Sequence, residues 1–391
     1  MSFNEIDRLL QAAVATGDVA GVVALVANDA GTIYQGAFGR RNVAGDVPMS
    51  PDTVFRIASM TKAVTAVAAM QLVEQGRLSL DQPVGEVVPQ LAAPQVLEGF
   101  DAAGQPRLRS AKRPITLRHL LTHTSGFVYD FWNAELARFI AATGRPSTLG
   151  GSLAALDAPL AFDPGERWEY GISLDWAGRV VEAASGQTLA AFMQAHIFAP
   201  LGMKDTGYIP GPDQITRLAD LHARQANGTL RPLALDAPGL PDYFPGGAGL
   251  FSTGPDYLTF LQMLLLGGSL RGATILQPQT VALMAQNHIG TLLVQPFRGQ
   301  IPRVSNDVEF FPGMAKKWGL SFLINMTEAP TGRSPGSLAW GGLYNCYYWI
   351  DPTRRVTGVL MTQILPFADP AALRLAGAFE TAIYQSRAMR G

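Results

Sequence analysis

The segment Met60 to Gln75 is a run of good helix formers stopped by Gly76, and its early turns are apolar on every side: Ala63, Val64, Ala66, Val67, Ala68 and Ala69. A helix without a polar face has to be packed all round, so this one predicts a central element. It carries a single basic residue, Lys62, in a first turn where the helix dipole disfavours a cation. Burying the helix buries Lys62 with it. The alternating stretch Thr53 to Ala58 reads as extended, which sets Ser59 where a strand-like segment enters the helix. Residues i and i+3 lie about 60° apart around a helix and roughly 4.5 Å apart along it, so the Lys62 amine reaches the Ser59 hydroxyl. A serine hydroxyl is a weak nucleophile until a base takes its proton. Lysine serves as that base only where burial or nearby positive charge lowers its pKa from about 10.4. The helix N-terminus adds free N–H groups and positive dipole for a developing oxyanion. The plain alternative makes Ser59 an N-cap and Lys62 a solvated side chain. The apolar helix around Lys62 favours chemistry.

Both chain ends predict the same sheet. Asn4 to Ala15 has helical spacing of Ile6, Leu9, Leu10 and Ala13, and Gly21 to Ala27 is a continuous apolar run, as in a strand covered on both faces. After the turn Asn28–Gly31, Thr32 to Gly39 returns as a second strand. At the far end Tyr344 to Ile350 and Val356 to Gln363 flank the turn Asp351–Arg354, and a helix from Ala371 to about Arg387 closes the chain. Between the ends lie helical patches such as Leu174 to Ala184 and Tyr257 to Leu266, separated by Pro- and Gly-rich loops, notably Pro238 to Gly249. The expected fold is an α/β protein of the α+β type. Residues 1–80 and 301–391 form an antiparallel sheet domain, residues 81–300 a mostly helical domain, and the active site lies in the cleft between them.

Composition narrows the function. With 30 basic against 31 acidic residues the 391-residue chain has no electrostatic footprint for nucleic acid or an anionic membrane. Its single cysteine, Cys346, leaves no internal disulfide and no multi-cysteine metal cage. No apolar run reaches the length of a membrane span, and the start, Met1 to Arg8, lacks the pattern of a secretory signal. A cytoplasmic protein is expected, with no cofactor, no metal and a small-molecule substrate; the oligomeric state stays open.

Two further segments bear on chemistry. Tyr170, in Trp168-Glu169-Tyr170-Gly171-Ile172-Ser173, precedes the helix near Leu174. A phenol beside a lysine ammonium loses its proton more readily and can shuttle it; the alternative is a packing tyrosine. In Trp340-Gly341-Gly342-Leu343, paired glycines permit close backbone approach to a ligand, and an edge-strand amide there can donate to an oxyanion; the alternative is a plain turn.

Taken together, Ser59-x-x-Lys62, Tyr170 about a hundred residues on and a Gly-Gly strand near the C-terminus resemble the serine hydrolases of the class C β-lactamase and penicillin-binding-protein superfamily. Leu120-Leu121-Thr122-His123-Thr124-Ser125-Gly126 and the sheet built from both ends look like that superfamily too. Within it the chain is most similar to the family VIII carboxylesterases, whose third element is typically Trp-Gly-Gly. The resemblance implies Ser59 as nucleophile, Lys62 and Tyr170 as the proton-transfer pair, and an oxyanion hole from the backbone amides of Ser59 and Leu343. Trp340, Gly341 and Gly342 would line the substrate cleft. Tyr129, Phe131 and Trp132 are candidates for an acyl pocket or for core.

Two departures separate the subclasses. The lactamases and peptidases carry Lys-Thr-Gly in the third element, where Trp340 supplies no charge, and a polar Asn two residues after the tyrosine, where Ile172 stands. Losing a charge-assisted contact costs roughly 1.5–3 kcal/mol. The expected activity is therefore hydrolysis of small apolar carboxylic esters through an acyl-serine. The alternatives on the same scaffold are a β-lactamase or D-amino-acid peptidase and an acyltransferase. Gly332-Arg333-Ser334-Pro335-Gly336 fits the hydrolase elbow pattern, but Pro335 has no N–H to give an oxyanion, so Ser334 is rejected as nucleophile. His119 and His123, at i and i+4, lack the glutamate of a metalloprotease helix and read as a satisfied structural pair.

Overall fold

The computed structural model describes residues 2–234 and 239–386, so Pro238 and Arg387, at the ends of two expected segments, lie outside the described residues. In chain order, helix α1 (Phe3–Ala15) leads into strands β1 (Gly21–Asn28), β2 (Gly31–Asn42) and β3 (Val47–Pro48). Strand β4 (Val54–Arg56) then enters helix α2 (Thr61–Glu74). Helix α3 (Ser173–Ser185), strand β5 (Phe251–Thr253) and helix α4 (Gly254–Leu265) follow. The chain ends with strands β6 (Lys316–Trp318), β7 (Leu323–Asn325), β8 (Leu338–Gly342), β9 (Cys346–Asp351) and β10 (Val356–Met361), then helix α5 (Pro370–Tyr384).

Eight strands form one antiparallel sheet in the order β6-β7-β8-β9-β10-β1-β2-β3, so β10 and β1 join the two chain ends at its centre. The apolar run of β1 is explained by alternation. Val22, Ala24 and Val26 face a core shared with Ile6 and Leu10 of α1 and Phe379 and Ile383 of α5. Val23, Leu25 and Ala27 face the larger core that holds α2 and α4. Helix α4, although it falls within residues 81–300, packs directly on β1, β9 and β10. The same span also contains short strands, including the hairpin Gln95–Phe100 with Pro106–Ser110.

Helix α2 is the buried axis that its composition predicts. Every residue from Thr61 to Leu72 is buried, Lys62 included, and α3 packs along it. Its start differs from expectation: a single 3-10 turn, Ala58–Met60, intervenes between β4 and the helix, and Ser59 sits in that turn. Ala58 adopts φ 43°, a left-handed conformation costly for a residue with a side chain. Strand β8 packs against this turn. At Gly342 an added Cβ would lie 2.4 Å from the Ile57 carbonyl oxygen, so only glycine permits that approach.

Candidate active site

Three segments converge on the N-terminus of α2. The turn supplies Ser59, the first helical turn supplies Lys62, and the loop ahead of α3 supplies Tyr170. The Lys62 Nζ lies 3.0 Å from Ser59 Oγ, 3.1 Å from the Tyr129 hydroxyl and 2.6 Å from the Gly247 carbonyl oxygen. Its distance to the Tyr170 ring centroid is 4.7 Å. Burial lowers the Lys62 pKa to about 7, and the charge of Asp175 opposes that shift. The amine is then substantially neutral near neutrality. A neutral amine has two N–H donors and one lone pair: Gly247 O and the Tyr129 oxygen accept the donors, and the lone pair is left to the Ser59 hydroxyl. That is the geometry of a base facing a nucleophile.

Tyr170 differs from expectation. Burial raises its phenol pKa, and hydrogen bonds from Ser59 and Trp340 offset only part of the rise. The phenol therefore stays protonated at rest, because desolvation outweighs these two hydrogen bonds. Its oxygen accepts from the Trp340 indole Nε1 at 2.9 Å. Trp340 thus holds the phenol as well as offering an apolar face. Ile172, buried, sits where a polar residue would stand.

Trp340–Gly342 is strand, not turn. Strand β8 pairs with β9 along its length but with β7 only through Leu338 and Ala339, so from Trp340 onward one side is an open edge. Among the described residues no backbone carbonyl accepts from the amide of Ser59 or of Leu343. Both residues line the same cavity.

That cavity, of about 330 Å³, has walls that include Tyr129, Phe131, Trp132, Tyr170, Trp340 and Gly341. Gly342 is not among its lining residues and faces Ile57 instead. Tyr129 does more than line the wall, since its hydroxyl touches Lys62. The segment 239–249, expected as a loop, is the opposite wall: Gly246 accepts from Thr65, and Gly247 accepts from Lys62.

Sequence reasoning missed Asp175. Its buried carboxylate accepts from the Gly247 amide at 3.1 Å and the Tyr243 hydroxyl at 3.3 Å, and burial raises its pKa. In sequence it looks like an ordinary first-turn acid of α3. The only available signal was its place five residues after Tyr170.

The decoys resolve differently. Ser334 lies between β7 and β8, with its amide donating to Asp351 and its neighbour Arg333 paired with Glu380 of α5. His119 Nδ1 accepts from the Thr116 amide, and His123 Nδ1 accepts from the Gly171 amide. His123 is not fully satisfied as expected: among the described residues its buried Nε2 has no partner, and the Trp168, Tyr170 and Trp318 rings enclose it. Burial keeps His123 neutral. Among the described residues no helix is long and apolar enough to cross a membrane.

The chain matches the family model described as Beta-lactamase over residues 6–383. It is 36% identical to a monacolin J acid methylbutanoyltransferase of Aspergillus terreus, over 95% of this chain and 93% of that one. It is 35% identical to a lovastatin esterase of Penicillium rubens, over 97% of this chain and 98% of that one. Among solved structures, the unliganded simvastatin synthase LovD of Aspergillus terreus superposes with a TM-score of 0.84 at 32% identity, covering 100% of this chain and 99% of that one.

Proposed function

Starting from the fact that the chain belongs to the beta-lactamase family of serine acyl-transfer enzymes and hydrolases, we propose that it transfers a short acyl group from an activated donor to an alcohol through an acyl-Ser59 intermediate. Hydrolysis of small esters is the same intermediate resolved by water. The observation that carries this reading is the neutral-poised Lys62 amine 3.0 Å from Ser59 Oγ, beneath an aromatic cavity. Relatives that perform acyl transfer and ester cleavage favour an alcohol acceptor over water alone.

In acylation Lys62 takes the Ser59 proton while Oγ bonds to the donor carbonyl carbon. The carbonyl electrons move to an oxyanion facing the amides of Ser59 and Leu343. As that intermediate collapses, the bond to the leaving group breaks, and the proton on Lys62 reaches the departing atom through the Tyr170 hydroxyl. Tyr170 is fit for this relay because it is protonated and fixed by Trp340. Deacylation reverses the roles. The acceptor hydroxyl gives its proton to Lys62 by way of Tyr170, its oxygen bonds to the acyl carbon, and Ser59 regains its proton.

The test supplies p-nitrophenyl butyrate with and without an acceptor alcohol and measures butyryl ester against butyrate. New ester that grows with acceptor concentration at constant p-nitrophenol release is the expected result. Butyrate alone at every acceptor concentration reduces the activity to hydrolysis. Absence of any acyl mass on the peptide containing Ser59 removes the mechanism.

A further inference from the structure

Trp340 holds the hydroxyl end of Tyr170, and the backbone end is held by a residue that the chemistry above does not use. His123 binds the chain on both sides of the tyrosine. Its carbonyl oxygen accepts from the Glu169 amide at 3.0 Å, and its ring Nδ1 accepts from the Gly171 amide at 3.3 Å. The imidazole also lies against the Tyr170 ring, with centroids 4.4 Å apart and planes at 45°. The segment has little room to shift, since a Cβ at Gly171 would lie 2.3 Å from the Phe127 carbonyl oxygen. His123 itself is not among the residues that line the catalytic cavity.

This arrangement is costly. His123 is fully buried and adopts φ 56°, a left-handed conformation. Because Nδ1 accepts, the neutral ring carries its hydrogen on Nε2, and among the described residues that buried donor has no acceptor. Filling space requires neither the strain nor the unused donor, whereas accepting from Gly171 requires Nδ1. We infer that His123 is a positioning residue for the proton relay: it fixes the main chain around Tyr170 and the face of its ring, and so sets the reach of the hydroxyl toward the leaving group. The assignment rests on the relay role proposed for Tyr170 above. It concerns the proton that the departing atom receives, not the attack by Ser59 Oγ, which Lys62 serves. No substrate bond forms or breaks at His123.

The experiment compares two butyrate esters that differ only in the leaving group. p-Nitrophenolate departs without a proton, whereas ethoxide has to receive one as the intermediate collapses. The readout is kcat/KM for ethyl butyrate over that for p-nitrophenyl butyrate within each protein, so a variant that merely loosens the site lowers both and leaves the ratio. Tyr170→Phe is expected to lower the ratio about a hundred-fold. His123→Leu keeps the bulk but cannot accept from Gly171, and is expected to lower it about ten-fold or more. In His123→Asn the side-chain oxygen takes the place of Nδ1 and the residue tolerates the left-handed backbone, so the ratio is expected within about three-fold of the wild type. A ratio that falls in Tyr170→Phe but not in His123→Leu, or that falls as far in His123→Asn as in His123→Leu, overturns the positioning role and leaves the relay standing. A ratio unchanged in Tyr170→Phe removes the relay and the His123 assignment with it. Should His123→Leu fail to fold, NMR of the wild type labelled with nitrogen-15 in its histidines decides, the His123 signals being those lost in His123→Asn. A bare Nδ1 and a protonated Nε2 are expected near neutral pH, and a proton on Nδ1 overturns the assignment.

Discussion

Lys62 and Arg333 are both buried basic side chains close to a serine, and the molecule holds them in opposite ways. Arg333 is bound fork to fork by Glu380, with Nε–Oε1 at 2.8 Å and Nη2–Oε2 at 2.6 Å, while Thr331 donates to the same carboxylate. That pair raises the Arg333 pKa against burial and locks the charge in place. Among the described residues no acid lies within pairing distance of Lys62; its contacts there are a hydroxyl, a phenol and a carbonyl, and burial wins. Burial by itself does not make a site. The identity of the partner decides whether a buried basic group stays charged as a structural clasp or is neutral and accepts a proton.

The contrast is broken most forcefully at the serines. Ser59→Ala is expected to lower ester turnover by about a thousand-fold or more, whereas Ser334→Ala stays within about two-fold, both read by p-nitrophenol release. Comparable losses from the two would erase the distinction between the regions. The cations come next. Lys62→Met should lose about a thousand-fold in turnover yet unfold at a higher temperature. Because the folded pKa near 7 lies below the unfolded value, the unfolded chain binds the extra proton between about pH 7 and 10.4, so the stability of the native protein rises over that window. The gain from Lys62→Met should accordingly be full below pH 7 and fade toward pH 10, which calorimetry across pH checks. Glu380→Gln should do the reverse, costing about 3–5 kcal/mol in urea denaturation by stranding Arg333, with turnover per folded molecule unchanged. Asp175→Asn is the finest test. Removing its charge lowers the Lys62 pKa further, so the acidic limb of kcat/KM moves about one unit to lower pH. A limb that does not move separates Asp175 from the proton affinity of Lys62.

The same contrast explains what could be read from the sequence. The sheet from both ends, the buried helix and the Ser59–Lys62 approach were legible because each follows from local periodicity: β1 is apolar on both faces, and α2 has no face to give to water. Tyr170 and Trp340 were legible as motif positions, yet their hydrogen bond to each other was not, since it joins residues 170 positions apart. Gly247, Tyr243 and Asp175 were illegible for the same reason. A Pro- and Gly-rich stretch shows where a chain is irregular, not which carbonyl it will bring against an amine. The open edge of β8 depends on β7 stopping short, a fact of register that Trp-Gly-Gly does not carry.

The central claim is that the Lys62 amine is free to accept the Ser59 proton at neutral pH. Its most direct test is the pre-steady-state rate of p-nitrophenol release from p-nitrophenyl butyrate, followed from pH 5 to 10 together with the acyl mass on Ser59. The claim predicts an acylation rate that rises through an apparent pKa near 7 and then levels. A rate that keeps climbing to an inflection near 10, or that shows none at all, would mean that the amine stays charged and that another group takes the proton.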